Sequence, residues 1–116
     1  MKIRLAYSPC PNDTFMFYAI AHGKVDLQGL SFDIKLMDVE QLNESAAKNL
    51  FDISKMSFHA YALMADHWEL CDAGAALGRG NGPLLVCPKN ASLDMDCGCF
   101  QVMLPGRHTT AALLMR

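Results

Sequence analysis

Hydrophobic and polar positions change period repeatedly along this chain, and each change marks an element. Ile3, Leu5 and Tyr7 alternate with Lys2, Arg4 and Ala6, the two-residue period of a strand over about Lys2 to Ser8. The chain then turns through Ser8-Pro9-Cys10-Pro11-Asn12-Asp13-Thr14 into an apolar run closed by His22-Gly23. That order predicts a helix over about Asp13 to His22 with a glycine stop. Proline fixes φ and removes a backbone donor, so the prolines around Cys10 make the turn rigid, and Asn12 or Asp13 is the expected helix cap. Phe32, Ile34 and Leu36 alternate with Asp33, Lys35 and Met37, giving a second strand over Ser31 to Asp38. Asp38 then caps a helix over about Val39 to Lys48, with Leu42 and Ala46 or Ala47 on its inner face. Phe51 to Met56 reads as a third strand, and Ser57 as the cap of a helix over about Phe58 to His67. Trp68 to Leu77 reads as partly extended, Leu84 to Cys87 and Cys99 to Leu104 as further strands, and Thr109 as the start of a last helix.

Strands alternating with helices predict an α/β fold with a mainly parallel sheet. In such a sheet ligands sit at the carboxyl ends of the strands, so the turns found there are the candidate sites. Four turns qualify. The first is the rigid opening run. The second is Ser54-Lys55-Met56-Ser57, where Lys55 offers a positive charge and Ser54 and Ser57 offer hydroxyls; a solvated rim lysine and a plain helix cap are the bland readings of the same residues. The third, Gly78-Arg79-Gly80-Asn81-Gly82-Pro83, is rich in glycine but leads into a strand and lacks the Lys-Ser/Thr pair of a phosphate-binding loop, so it reads as a close-packed turn. The fourth is Pro105-Gly106-Arg107-His108-Thr109-Thr110-Ala111. There the order strand, glycine turn, helix start presents the amides of Thr110 and Ala111 and the hydroxyl of Thr109 or Thr110, donors suited to an anion such as a carboxylate; an ordinary threonine cap is the bland reading of the same residues.

Composition narrows the classes. The chain has 116 residues, 52% hydrophobic and 19% charged, with a net charge of −2. This is one small, apolar domain or less, without the basic footprint of a nucleic-acid binder, and no apolar run is long enough to cross a membrane. Without a continuous apolar leader segment, the five cysteines read as reduced thiols of a cytoplasmic protein rather than a disulfide framework. Cys97-Gly98-Cys99 is a close pair, but no second pair or spaced histidines complete a metal site. Among His22, His59, His67 and His108, only His108 lies in the fourth turn, and no Ser-His-Asp order or paired carboxylates emerge. The last predicted helix is two turns of apolar residues, marginal on its own. The expectation is therefore a piece of a longer two-lobed protein, against a compact single domain or a homo-oligomer that covers the unfinished sheet.

Five stretches together carry a family resemblance: SPCPNDTFMFYA (8–19), DVEQLNESA (38–46), SKMSFHAYA (54–62), GAALGRGNGPLLV (74–86) and PGRHTTAALL (105–114). In this the chain closely resembles the 1,4-dihydroxy-6-naphthoate synthases of the futalosine route to menaquinone. The resemblance implies a fold like the type II periplasmic binding proteins, with residues 1–88 forming an incomplete lobe one that lacks its returning C-terminal segment. Residues 89–116 would cross over and begin lobe two. It implies a carbon–carbon lyase that converts cyclic de-hypoxanthine futalosine to 1,4-dihydroxy-6-naphthoate without metal or organic cofactor. Substrate contacts are expected at Ser54, Lys55 and Met56 and at Thr110 and Ala111, with Thr109 added as a neighbour. The family's catalytic base is a histidine matched by none of the four here, so no catalytic residue is expected in this stretch and the chain alone is expected to be inactive. The segment 93–99 departs from the family pattern. The alternatives are a non-catalytic binder of small carboxylates on the same fold and a sibling resembling the chorismate dehydratases.

Overall fold

The computed structural model describes residues 1–80, 82–90 and 101–116. Three strands, β1 (Lys2–Tyr7), β2 (Ser31–Leu36) and β3 (Ile53–Ser54), form a parallel sheet in the order β2-β1-β3. Register is continuous from Lys2 opposite Ser31 to Tyr7 opposite Leu36, and Leu5 and Ala6 face Ile53 and Ser54. Helices α1 (Pro11–Ala21) and α2 (Val39–Ala47) are the crossovers, followed by α3 (Phe58–Met64) and α4 (Thr110–Leu114). The parallel α/β layout and every one of its strands and helices were legible in the pattern.

The core lies along β1. Leu5 and Ala6 are 1% and 0% exposed, and Leu42 and Ala46 of α2 are both fully buried. Tyr7 stacks on Phe17 of α1 with ring centroids 4.5 Å apart. Alternate β1 side chains thus serve the two faces of the sheet. Central position and burial on both faces explain why β1 is apolar at consecutive positions from Leu5 to Tyr7, unlike the edge strand β2. On the solvent side, Arg4 binds Asp52 through its guanidinium at 2.6 Å and its backbone N–H at 2.8 Å, pinning the entry to β3. These hydrogen bonds hold the exposed Asp52 carboxyl down at about 2.

Local rules account for the helix ends. Asp38 accepts from the N–H groups of Glu40 and Gln41 at 2.9 Å while Gln41 reaches back to the Asp38 N–H, a capping box. Gly23 stops α1 with φ +59°, where other residues pay a steric cost.

Several expectations are corrected. Neither Asn12 nor Asp13 caps α1. Cys10 occupies the cap position and Pro11 opens the helix, where a missing N–H costs nothing, so Asp13 is released to turn inward. Ser57 stands at the cap of α3 without a side-chain cap bond, because its hydroxyl is engaged by Asn43. The helix ends at Met64, and Ala65 to His67 form a turn. Leu84 to Cys87 and Gln101 to Leu104 are not strands: an apolar run needs a hydrogen-bonded neighbour to become one, and these have none among the described residues. Cys99 and Phe100 of that second segment, the Cys97-Gly98-Cys99 pair and the segment 93–99 lie outside the described residues.

Candidate functional site

β1 connects to β2 on one side, and the chain returns past it to β3 on the other. The carboxyl ends of β1 and β3 therefore flank the point where strand order reverses, the place where open α/β sheets form a crevice. Ser8 follows β1 there and Lys55 follows β3. Lys55 is anchored by its backbone N–H on the Ala6 carbonyl at 2.9 Å.

The first two turns are joined by Asp13. This residue is 1% exposed and reaches back past the helix cap. Its Oδ2 accepts from the Ser8 N–H at 3.0 Å and the Ser8 hydroxyl at 2.6 Å, and it lies 3.4 Å from the Lys55 ammonium. A buried carboxylate persists only when charged or polar donors surround it, and here all three converge on one oxygen. The Lys55 side chain keeps 31% of its surface in solvent. One of its ammonium hydrogens suffices for Asp13, leaving two for a ligand.

The second and fourth turns are joined by two residues of α2. Asn43, 2% exposed, accepts from the Ser57 N–H at 3.0 Å and donates to the Ser57 hydroxyl at 3.0 Å and to Glu40 at 3.4 Å. Because a backbone N–H only donates and a carboxylate only accepts, these partners fix the orientation of the amide. Glu40 in turn accepts from the His108 N–H at 3.1 Å and lies 3.1 Å from its ring Nδ1. Partial burial opposes ionisation of Glu40, but the His108 N–H, the Asn43 amide, the attraction of the His108 ring and the Arg107 N–H outweigh it and hold the carboxyl below its ordinary value. Gly106 is required at this joint, since a Cβ there would fall on the Glu40 side chain, within 3 Å of its own Cβ.

The fourth turn is held from a second direction by His59, 8% exposed, whose Nδ1 lies 3.1 Å from the Thr109 carbonyl and therefore carries the hydrogen. Thr109 caps α4: its hydroxyl donates to the Gly106 carbonyl at 2.8 Å and accepts from the Ala112 N–H at 3.2 Å. Its hydroxyl is thus committed to the turn, and the residue is buried. Thr110 and Ala111 are half-buried and head the helix, where first-turn amides have no partner within the helix itself.

Of the six residues expected to meet substrate, Ser54, Lys55 and Met56 are all half-buried at the end of β3, and Thr110 and Ala111 lie beside the capping Thr109. Hydrogen bonds running Ser57–Asn43–Glu40–His108 connect the two groups. Glu40 and Asn43 were missed as site residues. The available signal was a polar pair three residues apart, hence on one face of α2, directly beside the buried Leu42. The third turn stays apart: its glycines are exposed, and Gly74 to Ala76 just before it face Pro11, Asn12, Phe15 and Met16 across an open groove of about 520 Å³. Among the described residues no cluster of three or more His, Cys, Asp or Glu could hold a metal, and no helix is long and apolar enough to cross a membrane.

A parallel α/β unit with a lysine, hydroxyls and helix-leading amides gathered at one sheet edge has the layout of a small-molecule site, with donors suited to an anionic ligand. A family model described as menaquinone biosynthesis matches residues 3–116. Two proteins named 1,4-dihydroxy-6-naphtoate synthase are similar to the chain. The one from Thermus thermophilus is 44% identical over 113 residues, covering 97% of this chain and 40% of its own length. The one from Streptomyces coelicolor is 39% identical over 114 residues, covering 98% and 39%. A crystal structure of a protein from Archaeoglobus fulgidus matches with TM-score 0.80 at 40% identity, over 98% of this chain and 41% of that one. The chain belongs to this menaquinone-biosynthesis family, that of the 1,4-dihydroxy-6-naphthoate synthases, and spans about two-fifths of the length of the relatives it matches.

Proposed function

We propose that the chain is part of a carbon–carbon lyase that converts cyclic de-hypoxanthine futalosine to 1,4-dihydroxy-6-naphthoate in the futalosine route to menaquinone, in the cytoplasm. In this reading residues 1–88 belong to lobe one of a fold like the type II periplasmic binding proteins, and residues 89–116 cross over and begin lobe two. The substrate lies in the cleft between them. Ser54, Lys55 and Met56 form the wall on the lobe-one side. The amides of Thr110 and Ala111 and the Thr110 hydroxyl meet it from the other side, with Thr109 holding their turn. Lys55 and the leading amides of α4 supply the positive ends for the carboxylate that the product retains. The proton-moving base comes from the part of the protein outside these 116 residues, so the stretch alone is inactive.

The observation that carries this reading is the hydrogen-bonded path Ser57–Asn43–Glu40–His108, which ties the turn after β3 to the turn before α4. The similarity to proteins named as synthases adds the reaction. The test is to incubate the intact protein with cyclic de-hypoxanthine futalosine and follow 1,4-dihydroxy-6-naphthoate by chromatography. Product is expected from the intact protein and none from the 116-residue stretch. Thermal stabilisation by small carboxylates with no turnover would replace the lyase by a binding module, and turnover by the stretch alone would move the base into it.

A further inference from the structure

We infer that Asp13 is a positioning residue, which holds the Lys55 ammonium at the mouth of the crevice for an anionic group of the ligand. The inference rests on the ligand reading above and adds a residue to it. A carboxylate that is 1% exposed is costly to bury, and a neutral side chain of similar size would fill the same space. What the carboxylate supplies is directional. Its Oδ2 is itself held in place by two Ser8 bonds, at 3.0 and 2.6 Å, from the rigid segment between β1 and α1. Lys55 lies 3.4 Å from that same oxygen. A lysine on a rim otherwise samples many rotamers, and fixing it before the ligand arrives removes that entropy from the cost of binding. The Lys55 backbone is fixed as well, through Ala6. The Lys55 side chain is therefore tethered at both ends while nearly a third of it faces solvent. The order of the opening run fits this: α1 starts at Pro11 behind Cys10 with no side-chain cap, and the first-turn carboxylate instead reaches back to Ser8 and across to Lys55.

The test compares wild type, Asp13→Asn, Lys55→Ala and the double variant in the intact protein. One readout is the order and hydrogen exchange of the Lys55 ammonium by heteronuclear NMR without ligand; the other is binding of 2-naphthoate by calorimetry. Asp13→Asn is expected to loosen the ammonium and to weaken 2-naphthoate by about tenfold, the scale of the rotamer freedom that one lysine must then lose on binding. The double variant is expected to bind no more weakly than Lys55→Ala, because the two residues act through one ammonium. Unchanged ammonium order in Asp13→Asn overturns the inference, as do additive losses in the double variant. If wild type ignores 2-naphthoate while Asp13→Asn still frees the ammonium, the ligand reading fails and the positioning of Lys55 stands. Ser8→Ala serves where Asp13→Asn does not fold: it removes one of the bonds that aim Oδ2, and an ammonium as ordered as in wild type would again overturn the inference.

Discussion

Replacing Asn43 by Asp tests the joint between the two halves of the site most directly. The substitution preserves shape and the acceptor for the Ser57 N–H, but it turns the donor toward Glu40 into a second carboxylate oxygen, 3.4 Å from Glu40 in the present geometry. Two like charges at that spacing repel by about 5 kcal/mol at an effective dielectric constant of ~20. Asn43 is 2% exposed but the Glu40 side chain is 19% exposed, so solvent relieves part of this, leaving about 2–4 kcal/mol at neutral pH. The sign with pH is definite. The shared site would raise a folded-state carboxyl pKa above its unfolded value, so the folded state holds the extra proton and the penalty grows as pH rises through the window between the two. Urea unfolding of wild type and Asn43→Asp at pH 7 and near pH 4 measures it. The stability gap should be at least about 1 kcal/mol smaller at the lower pH. Asn43→Ala is the control: it strands the Ser57 donors at a cost of about 1–3 kcal/mol and, by removing only the amide that helps keep Glu40 ionised, acquires a smaller pH-dependent difference of the same sign. A gap for Asn43→Asp that does not change with pH would refute the geometry in which Asn43 bridges Ser57 and Glu40.

Three further outcomes follow from the same structure. Gly106→Ala should destabilise by about 1–3 kcal/mol in thermal or urea unfolding, since the new methyl meets the Glu40 side chain close to its backbone; an unaffected midpoint would mean that the turn stands off from α2. Asp38→Ala should cost about 1 kcal/mol by removing the cap on the Glu40 and Gln41 amides of α2, and Asp38→Asn should recover most of it. The Asp52 carboxyl should titrate near 2 by NMR and move up toward 3.8 in Arg4→Gln. Its folded value lies below the unfolded one, so the stability it contributes is present above pH ~4 and is lost as pH falls toward 2, less so in high salt.

How much of this was written in the sequence depends on the range of the interaction. Alternation at Ile3, Leu5 and Tyr7 and at Phe32, Ile34 and Leu36 revealed the strands, because one residue and its next neighbours decide which face is buried. Asp38 revealed the start of α2 for the same local reason, and the structure adds Gln41 as its reciprocal partner. The pattern failed where the partner is remote. Leu84 to Cys87 has the composition of a buried strand, yet what pairs with it is not encoded in its own period. Asp13 looked like a cap because acidic residues near helix starts usually are; nothing nearby shows that Lys55 and Ser8 compete for it. The two turns at the ends of β1 and β3 were legible as candidate sites from topology alone, whereas Glu40 and Asn43, which link the turn after β3 to the turn before α4, were hidden inside an ordinary amphipathic helix.

The middle strand of the sheet is the first one made. On a ribosome, β1 emerges with both of its edges bare, one awaiting Ser31 to Leu36 and the other Ile53 and Ser54. Its apolar residues cannot be covered on both sides until α2 has also been synthesised, and the Asp13 carboxylate has no cation until Lys55 appears. Translation speed between the codons for Tyr7 and Lys55 thus sets how long an adhesive strand stays open to wrong partners. Slow codons would serve this chain better after Ser57 than before it.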